Sequence, residues 1–388
     1  MNIVFLLRLW PIYGGGETVT ICLANEMAKR GHAVTVFYFK DSETNELPYI
    51  DPSIKAVRIP DVRCDEYTYD SDDGIKITIA LKLYQQNSFD FIINQWWPVV
   101  FLSPLRSFFN AKIISVHHTA LYTRSVIEGF CLRQILKRVF FLLYRFFEKE
   151  RQLSVIDKLL IFSDKVLFLS PQFKDQYIQL RNPKSVEKLD WCYNPLVFDN
   201  FISMDEICKK RKEVLFVGRL LESNKKISKL LTIWKHIQLD KEFNEWHLYI
   251  VGDGKDKSFY LDFTRNNNIP NVHFEGRRYP IPYYKRASIF AMTSAFEGFP
   301  MSIIEAQQNG VVPIVMDSFL SVHDIIDNDV NGVLISYGNT TMFAESLKSL
   351  MKDEMRRNKL AIKGLETCRR FNIETVVDRW EEIFEKMR

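Results

Sequence analysis

Residues 294–315 read SAFEGFPMSIIEAQQNGVVPIV. Two glutamates, Glu297 and Glu305, flank Gly298, Phe299, Pro300 and an apolar run that begins at Met301. Pro300 suits a first helical position, where its missing N–H would have had no partner anyway. Gly310 suits the residue just past a helix end, which often takes a left-handed conformation. The run VVPIV that follows reads as a buried strand. The pattern predicts loop, short helix and strand, with Glu297 before the helix and Glu305 about two turns inside it. At about 1.5 Å of rise per residue the two carboxylates stand roughly 10–12 Å apart. A pair that cleaves one glycosidic bond directly would sit about 5–9.5 Å apart. The spacing instead suits two hydroxyl-rich parts of one elongated ligand. Between them the helix N-terminus, Pro300 to Ser302, offers unpaired N–H groups and a positive dipole end to a phosphate. Two solvated glutamates around an amphipathic helix would give the same pattern, so the neighbouring stretches have to decide.

Those stretches repeat the strand–helix alternation. NIVFLL, HAVTVFYF, DFIINQ, KIISVH and KVLFLS read as strands in the first part, with a helix from Glu17 to Arg30 closed by Gly31. EVLFVG, HLYIVG, VHFEG, SIFAMTS, VVPIV and GVLIS read as strands in the second. Strands alternating with helices predict parallel α/β sheets, and a chain of 388 residues is long enough for two cores. The boundary is expected near Asn194-Pro195. That gives domains at 1–194 and 195–370, and the tail 371–388 reads as an amphipathic helix.

Composition narrows the class. At 47% hydrophobic and 26% charged residues the chain is globular, and a net charge of +4 gives no footprint for nucleic acid. Cys22, Cys64, Cys131, Cys192, Cys208 and Cys368 are scattered, which is neither a disulfide framework nor a zinc site and reads as a reduced, cytoplasmic protein. The N-terminus is apolar but carries Arg8 and lacks a basic leader, so it reads as a strand and not a signal peptide. No apolar run approaches the roughly 18 residues of a membrane span. Residues 126–151 mix Leu, Phe and Ile with Arg133, Lys137, Arg138 and Arg145. Such a basic amphipathic helix either lies on an anionic membrane or packs on its own domain with the charges outward.

Four further groups carry potential chemistry. Gly14-Gly15-Gly16 follow the first strand and open the first helix; glycine lets backbone approach a ligand closely. The dinucleotide-binding fingerprint is absent there, and no Lys-Ser/Thr follows as a P-loop requires. In VLFVGRLLESNKK a strand delivers Gly218 and Arg219, and Lys225 follows, with Lys226 as its rival. Cations at the carboxyl end of a parallel strand face the crevice where ligands bind, and a departing diphosphate needs positive charge. His117-His118 end another strand, and only one of two adjacent side chains on a strand faces a given side. A single cleft histidine contacting substrate is the better reading, since no ligand cluster for a metal accompanies the pair. The acidic stretches Asp70-Ser71-Asp72 and Asp327-Asn328-Asp329 read as turns.

Taken together, GGGET with LANEMAKRGH, VGRL with its lysine, VGDG at Val251 to Gly254, and FEGFPMSIIEAQQNG resemble a retaining glycosyltransferase of the GT-B fold, glycosyltransferase family 4 (glycosyl transferases group 1). The resemblance runs along nearly the whole chain and is most specific from Val272 to Gly332. It implies two Rossmann-like domains with parallel sheets facing a central cleft. The first domain would hold the acceptor, the second the donor, and the last helix would cross back to the first domain. By position, Glu297 matches the acid near the donor sugar and Glu305 the acid on the ribose. Arg219 and Lys225, beside Gly218, match the diphosphate cations that take a metal's place, so no metal or other cofactor is implied. Gly15 and Gly16 match the loop approaching the phosphates, His118 the cleft histidine (His117 if the alignment shifts by one), and Gly276, Arg277 and Arg278 the loop beside the base. Gly298, Phe299, Pro300, Met301 and Ser302 complete the donor site. The implied reaction moves a sugar from a UDP- or GDP-sugar to an acceptor hydroxyl on a glycan or lipid-linked glycan, in bacterial surface polysaccharide, lipopolysaccharide or capsule synthesis at the membrane's inner face. A nucleotide-sugar epimerase, or a non-catalytic binding protein at a membrane surface, are the rival readings. The chain departs from the family at Lys225-Lys226, where a Lys-Gly pair is usual, and at Asn309, where small residues are usual.

Overall fold

A computed structural model of the chain describes all residues except 13–14, 43–47, 60–61, 63–70, 85, 122–146 and 148. The basic segment 126–151 therefore lies almost wholly outside the described residues, as do Gly14, Cys64, Asp70 and Cys131. The chain forms two compact units. One comprises the described parts of Met1–Leu121, Phe146–Val197 and Phe371–Arg388, and the other takes Phe198–Arg370.

In the first unit seven strands lie side by side in the order Lys55–Arg58, Ala33–Tyr38, Asn2–Leu6, Phe91–Asn94, Lys112–His117, Lys165–Phe168 and Leu189–Trp191. In the second unit six lie in the order Val272–Gly276, His247–Val251, Arg211–Val217, Ala287–Met292, Val312–Asp317 and Val333–Ser336. Every pairing in both sheets is parallel. Parallel sheets are covered on both faces, so their central strands are apolar throughout. Ile3 to Leu6 are completely buried, as are Ile289 to Met292. Within each unit the chain winds outward from the first strand, then returns to that strand's other side. The order reverses beside Asn2–Leu6 in one sheet and Arg211–Val217 in the other, and ligands of doubly wound sheets gather outside the carboxyl ends at that reversal.

The predicted strands are all present. Two edge strands, Lys55–Arg58 and Leu189–Trp191, and the small parallel pair Leu9–Trp10 with Lys40–Asp41, were not expected. They are two to four residues long, too short for an alternating or continuous apolar run to mark them. The expected turn at Asp70-Ser71-Asp72 is corrected in its described part: Ser71 and Asp72 open the helix Ser71–Lys82. Asp73, in the first turn of that helix, carries the acid that complements its dipole. Asp327-Asn328-Asp329 do form a turn, with Asp329 at φ 58°.

The core of the second unit gathers Phe216, Trp234, Leu248, Ile289, Ile314 and Phe343. In the first unit the terminal helix Ile373–Met387 buries Val376, Val377, Trp380, Ile383 and Phe384, one stripe at helical spacing. Phe384 stacks on Phe91 of the central sheet at 4.4 Å between ring centres. Arg30 reaches Asp378 at 2.7 Å and Glu381 at 2.9 Å, and His32 reaches Glu381 at 2.9 Å. Phe384→Ala should destabilise this unit by about 3–5 kcal/mol, the cost of truncating a fully buried aromatic ring. A denaturation series reads the effect, and a loss below about 1 kcal/mol would show that the helix is not part of the unit's core.

Candidate active site

The carboxyl edge of the second sheet is assembled from backbone first. Gly218 N donates to Val251 O (3.0 Å), Leu220 N to Asp253 O (2.9 Å) and Gly252 N to Gly276 O (2.8 Å). Three loops, after three neighbouring strands, are thereby laced together. A Cβ on Gly252 would lie 1.9 Å from Gly218 O, and one on Gly254 would lie 2.4 Å from Leu220 O. The glycines of VGDG thus serve loop-to-loop approach within the protein. Gly276 sits at φ 71°, where a side chain is disfavoured, and turns the chain into Arg277, which is exposed.

Onto this edge the short helix Glu222–Lys225 brings Lys225. Its ammonium donates to Glu297 Oε1 at 2.6 Å, and the two side chains are 13% and 10% exposed. Lys225 and Glu297 are therefore one unit, an enclosed ion pair whose disruption would strand a charge. The loops beneath are fastened as well: Ala295 N donates to Asn224 O (2.7 Å) and Thr293 Oγ1 to Lys226 O (3.0 Å). Glu222 accepts from Ser228 Oγ (2.6 Å) and Tyr260 OH (3.1 Å). Lys226 takes φ 51°, a left-handed conformation that costs a non-glycine residue about 1–2 kcal/mol. That is the physical reason a glycine is usual at this place. It also separates the two lysines, since Lys225 reaches Glu297 while Lys226 forms the bend. Arg219 is exposed on the same edge, with no ion-pair partner among the described residues.

Pro300 is the cap of the helix Met301–Gln308, one position earlier than the sequence pattern implied, and no side chain caps that end. The backbone N–H groups of Met301 and Ser302 are thus available at the dipole's positive end. Gly298 O accepts from Ser321 Oγ at 2.6 Å and Phe299 is buried, so the turn before the helix is fixed. Gly310 follows the helix at φ 62°, as a left-handed terminator does.

Glu305 points from this helix into an enclosed place, 8% exposed. Tyr284 OH donates to Glu305 Oε2 at 2.9 Å. Burial pushes the Glu305 carboxyl up to about 7, against the smaller opposing effect of the tyrosine hydrogen bond. Lys210 completes the arrangement: its ammonium donates to Tyr284 O (2.7 Å) and Asn309 O (2.5 Å), the ends of the two helices that carry Tyr284 and Glu305. Sequence reasoning missed Tyr284 and Lys210. Neither carries a motif, and a lysine among KKRK at 209–212 looks like one more solvated charge.

The first unit holds the remaining candidates. Gly15 and Gly16 begin the helix Gly15–Lys29. A Cβ on Gly16 would lie 2.5 Å from Trp96 Cζ2, whereas a Cβ on Gly15 would meet nothing within 4 Å. Gly16 is a glycine because Trp96 fills the space. Of the two, only Gly15 keeps its Cα side open. His117 is 7% exposed, and its Nε2 lies 3.1 Å from Thr119 Oγ1; burial drives its imidazole down to about 4. His118, half-buried at the carboxyl edge, has its Nε2 2.6 Å from Gln95 Oε1 and stacks on Trp96. Burial and then the neighbouring His117 hold it near 3, so both rings are neutral at physiological pH. Gln95 and Trp96 follow the strand Phe91–Asn94 and had no signal beyond position.

Two doubly wound parallel units are the architecture of the GT-B glycosyltransferases, and this chain is one of them. It belongs to the glycosyl transferases group 1: residues 199–367 match that family's model, and residues 13–195 match that of Glycosyltransferase Family 4. It is 30% identical over 186 residues to the amylovoran biosynthesis glycosyltransferase AmsD of Erwinia amylovora, a match covering 46% of this chain and 50% of that protein. The match thus spans half the length of that relative. Over 380 residues, 97% of this chain and 96% of the relative, it is 24% identical to the GalNAc-alpha-(1->4)-GalNAc-alpha-(1->3)-diNAcBac-PP-undecaprenol alpha-1,4-N-acetyl-D-galactosaminyltransferase of Campylobacter jejuni. The Anabaena protein HepE, solved in complex with UDP, shares the fold with a TM-score of 0.72 at 18% identity, covering all of both chains. No helix of the described residues is long and apolar enough to cross a membrane.

Glu305 supplies a test of the site's electrostatics. Its folded value lies above an ordinary carboxyl's, so the folded chain binds the proton more tightly than the unfolded one. Its contribution is fully present below about pH 4.5 and is lost as pH rises through about 7, at most about 3 kcal/mol. Glu305→Gln removes the titration, so the Tm of this variant minus that of the wild type should rise between pH 5 and pH 8. A flat difference would contradict the enclosed carboxyl.

Proposed function

We propose that the chain transfers a sugar, with retention at the anomeric carbon, from a nucleoside diphosphate sugar to an acceptor hydroxyl of a surface or lipid-linked glycan. The enclosed Lys225–Glu297 pair at the sheet reversal carries this reading. It places a cation beside an acid, on the same edge as Arg219 and the uncapped helix N-terminus. The bond that breaks joins the anomeric carbon to the diphosphate, and negative charge grows on the leaving oxygens. Arg219, Lys225 and the N–H groups of Met301 and Ser302 supply hydrogen-bond donors and positive charge for that oxygen, as preorganised donors do elsewhere. In this reading they do the work of a metal. Glu297 holds Lys225 in place and faces the sugar, and Glu305 accepts from the ribose hydroxyls. The Gly276-Arg277-Arg278 loop lies beside the base. In the first unit, His118 and Gly15 are proposed as substrate contacts on the resemblance.

The acceptor class rests on the resemblance and on the Campylobacter relative, whose name gives an undecaprenol-linked glycan. Peripheral contact of the chain with an anionic inner membrane leaflet through residues 126–151 is proposed on their sequence alone, as is a cytoplasmic setting.

Calorimetric titration with UDP, GDP and their hexose conjugates tests the donor site and fixes the base. Binding of neither nucleotide would remove the reading. Arg219→Ala should lower kcat about 100-fold, the loss of one oxyanion-type donor worth roughly 3 kcal/mol, with folding unchanged because Arg219 is exposed. Wild-type turnover by that variant would take Arg219 out of the mechanism. Retention is read from the anomeric configuration of the product.

A further inference from the structure

The helix Ser71–Lys82 of the first unit carries apolar side chains on two opposite sides. Ile77 and Leu81, one turn apart, are completely buried, as is Asp73 one turn before them. Ile75, Ile79 and Leu83 follow the same four-residue spacing, with Leu83 in the turn that continues the helix, and they are 60%, 60% and 81% exposed. At about 100° per residue the second set forms one row facing away from the first. The core accounts for the inward set. The outward row is different: a helix apolar all round belongs inside a protein or in lipid. The turn Val99–Phe101, packed against this helix, adds Val100, 47% exposed. Single exposed apolar side chains are ordinary; three on successive turns of one helix are not.

Positive charge borders the row. By helical geometry Lys76 and Lys82 stand on either side of it, and both side chains reach solvent. Lys55 lies where the helix ends, its ammonium 5.6 Å from the ring centre of Tyr84. Asp73 is buried and 3.7 Å from Lys76, so among the described side chains the outward face carries lysine and no carboxylate. Lysine stems cover apolar surface while their ammonium groups stay at its polar margin. A second copy of the chain does not suit this face. The row is one side chain wide and about 12 Å long, well short of the roughly 800 Å² per partner that a stable protein interface buries. A two-fold contact would also set lysines against lysines. An anionic bilayer suits both features: an interfacial helix sinks its apolar side about 5–10 Å to the acyl boundary and leaves its basic groups among the headgroups.

We infer that the outward face of Ser71–Lys82 docks the first unit on an anionic lipid surface. Ile75, Ile79 and Leu83 enter the acyl boundary, and Lys55, Lys76 and Lys82 meet the headgroups. The docking depends neither on the transferase reading nor on residues 126–151, because it uses described side chains and is measured without turnover.

Flotation of the full chain is measured with vesicles of phosphatidylglycerol and phosphatidylcholine in equal parts, and with phosphatidylcholine alone. The wild type should float with the mixed vesicles and much less with phosphatidylcholine. Ile79→Asp and Leu83→Asp should each lower the partition coefficient at least about tenfold, the worth of one aliphatic side chain taken out of water. Lys82→Glu should lower it at least about fivefold, and only on the anionic vesicles. All three positions are exposed, so Tm should stay at the wild-type value. Wild-type flotation by both aspartate variants overturns the inference. No flotation of the wild type, or equal flotation on the two lipids, overturns it as well. Light scattering reads the rival occupant: a dimer that Leu83→Asp dissociates would assign the face to a second copy and overturn the lipid assignment. If the variants unfold, hydrogen exchange of the wild type decides. The amides of residues 75–83 should exchange more slowly with the mixed vesicles, and unchanged exchange there overturns the inference.

Discussion

Because every strand in both sheets runs parallel, each sheet presents all its carboxyl ends on one edge and all its amino ends on the other. That constraint governs where chemistry sits in this protein. It brings the loops after residues 217, 251, 276, 292 and 317 to the same edge of the second unit, although they are far apart in the chain. The reversal of winding beside Arg211–Val217 then opens a place between two of those loops, the ones that carry Arg219 with Lys225 and Glu297. Backbone hydrogen bonds between glycine-bearing loops hold the edge before any side chain contributes, so the charged groups rest on a fixed base.

The charged groups are organised in two different ways. Lys225 and Glu297 compensate each other across 2.6 Å, which makes an enclosed acid tolerable and fixes the ammonium at the carboxyl edge of the sheet. Among the described residues no cation pairs with Glu305; a neutral hydroxyl from Tyr284 is its partner, and burial favours its protonated form. Lys210 holds the ends of both helices that make this second arrangement. Two glutamates eight residues apart thus have unlike surroundings, one held against a lysine and the other pushed toward its protonated form by burial.

The first unit shows the same economy in neutral groups. His117 and His118 differ by one position yet have unlike environments: one turns inward to Thr119, the other lies against Gln95 and Trp96 at the sheet edge. The alternation of side chains along a strand made that split legible in advance, but not which ring would turn which way. The sequence expectation for Gly16 is a close approach of backbone to a ligand, for which a missing side chain leaves room. The structure gives that room to an indole, because a glycine's empty side is filled by whatever neighbour the fold supplies.

The sequence by itself determined the alternation of strands and helices, the two units, the helix that separates Glu297 from Glu305 with its terminating glycine, and the apolar stripe that seats the last helix. All of these follow from local periodicity and from the conformational limits of glycine and proline, which act over a few residues. It did not reveal the short edge strands, the helix beginning at Ser71, or the partners Tyr284, Lys210, Gln95 and Trp96. Those depend on residues far apart in the chain meeting at one sheet edge. Whether Lys225 or Lys226 faces Glu297 was likewise decided only by tertiary structure, because the bend at Lys226 turns one of two adjacent ammonium groups toward the carboxylate and leaves the other to form the turn.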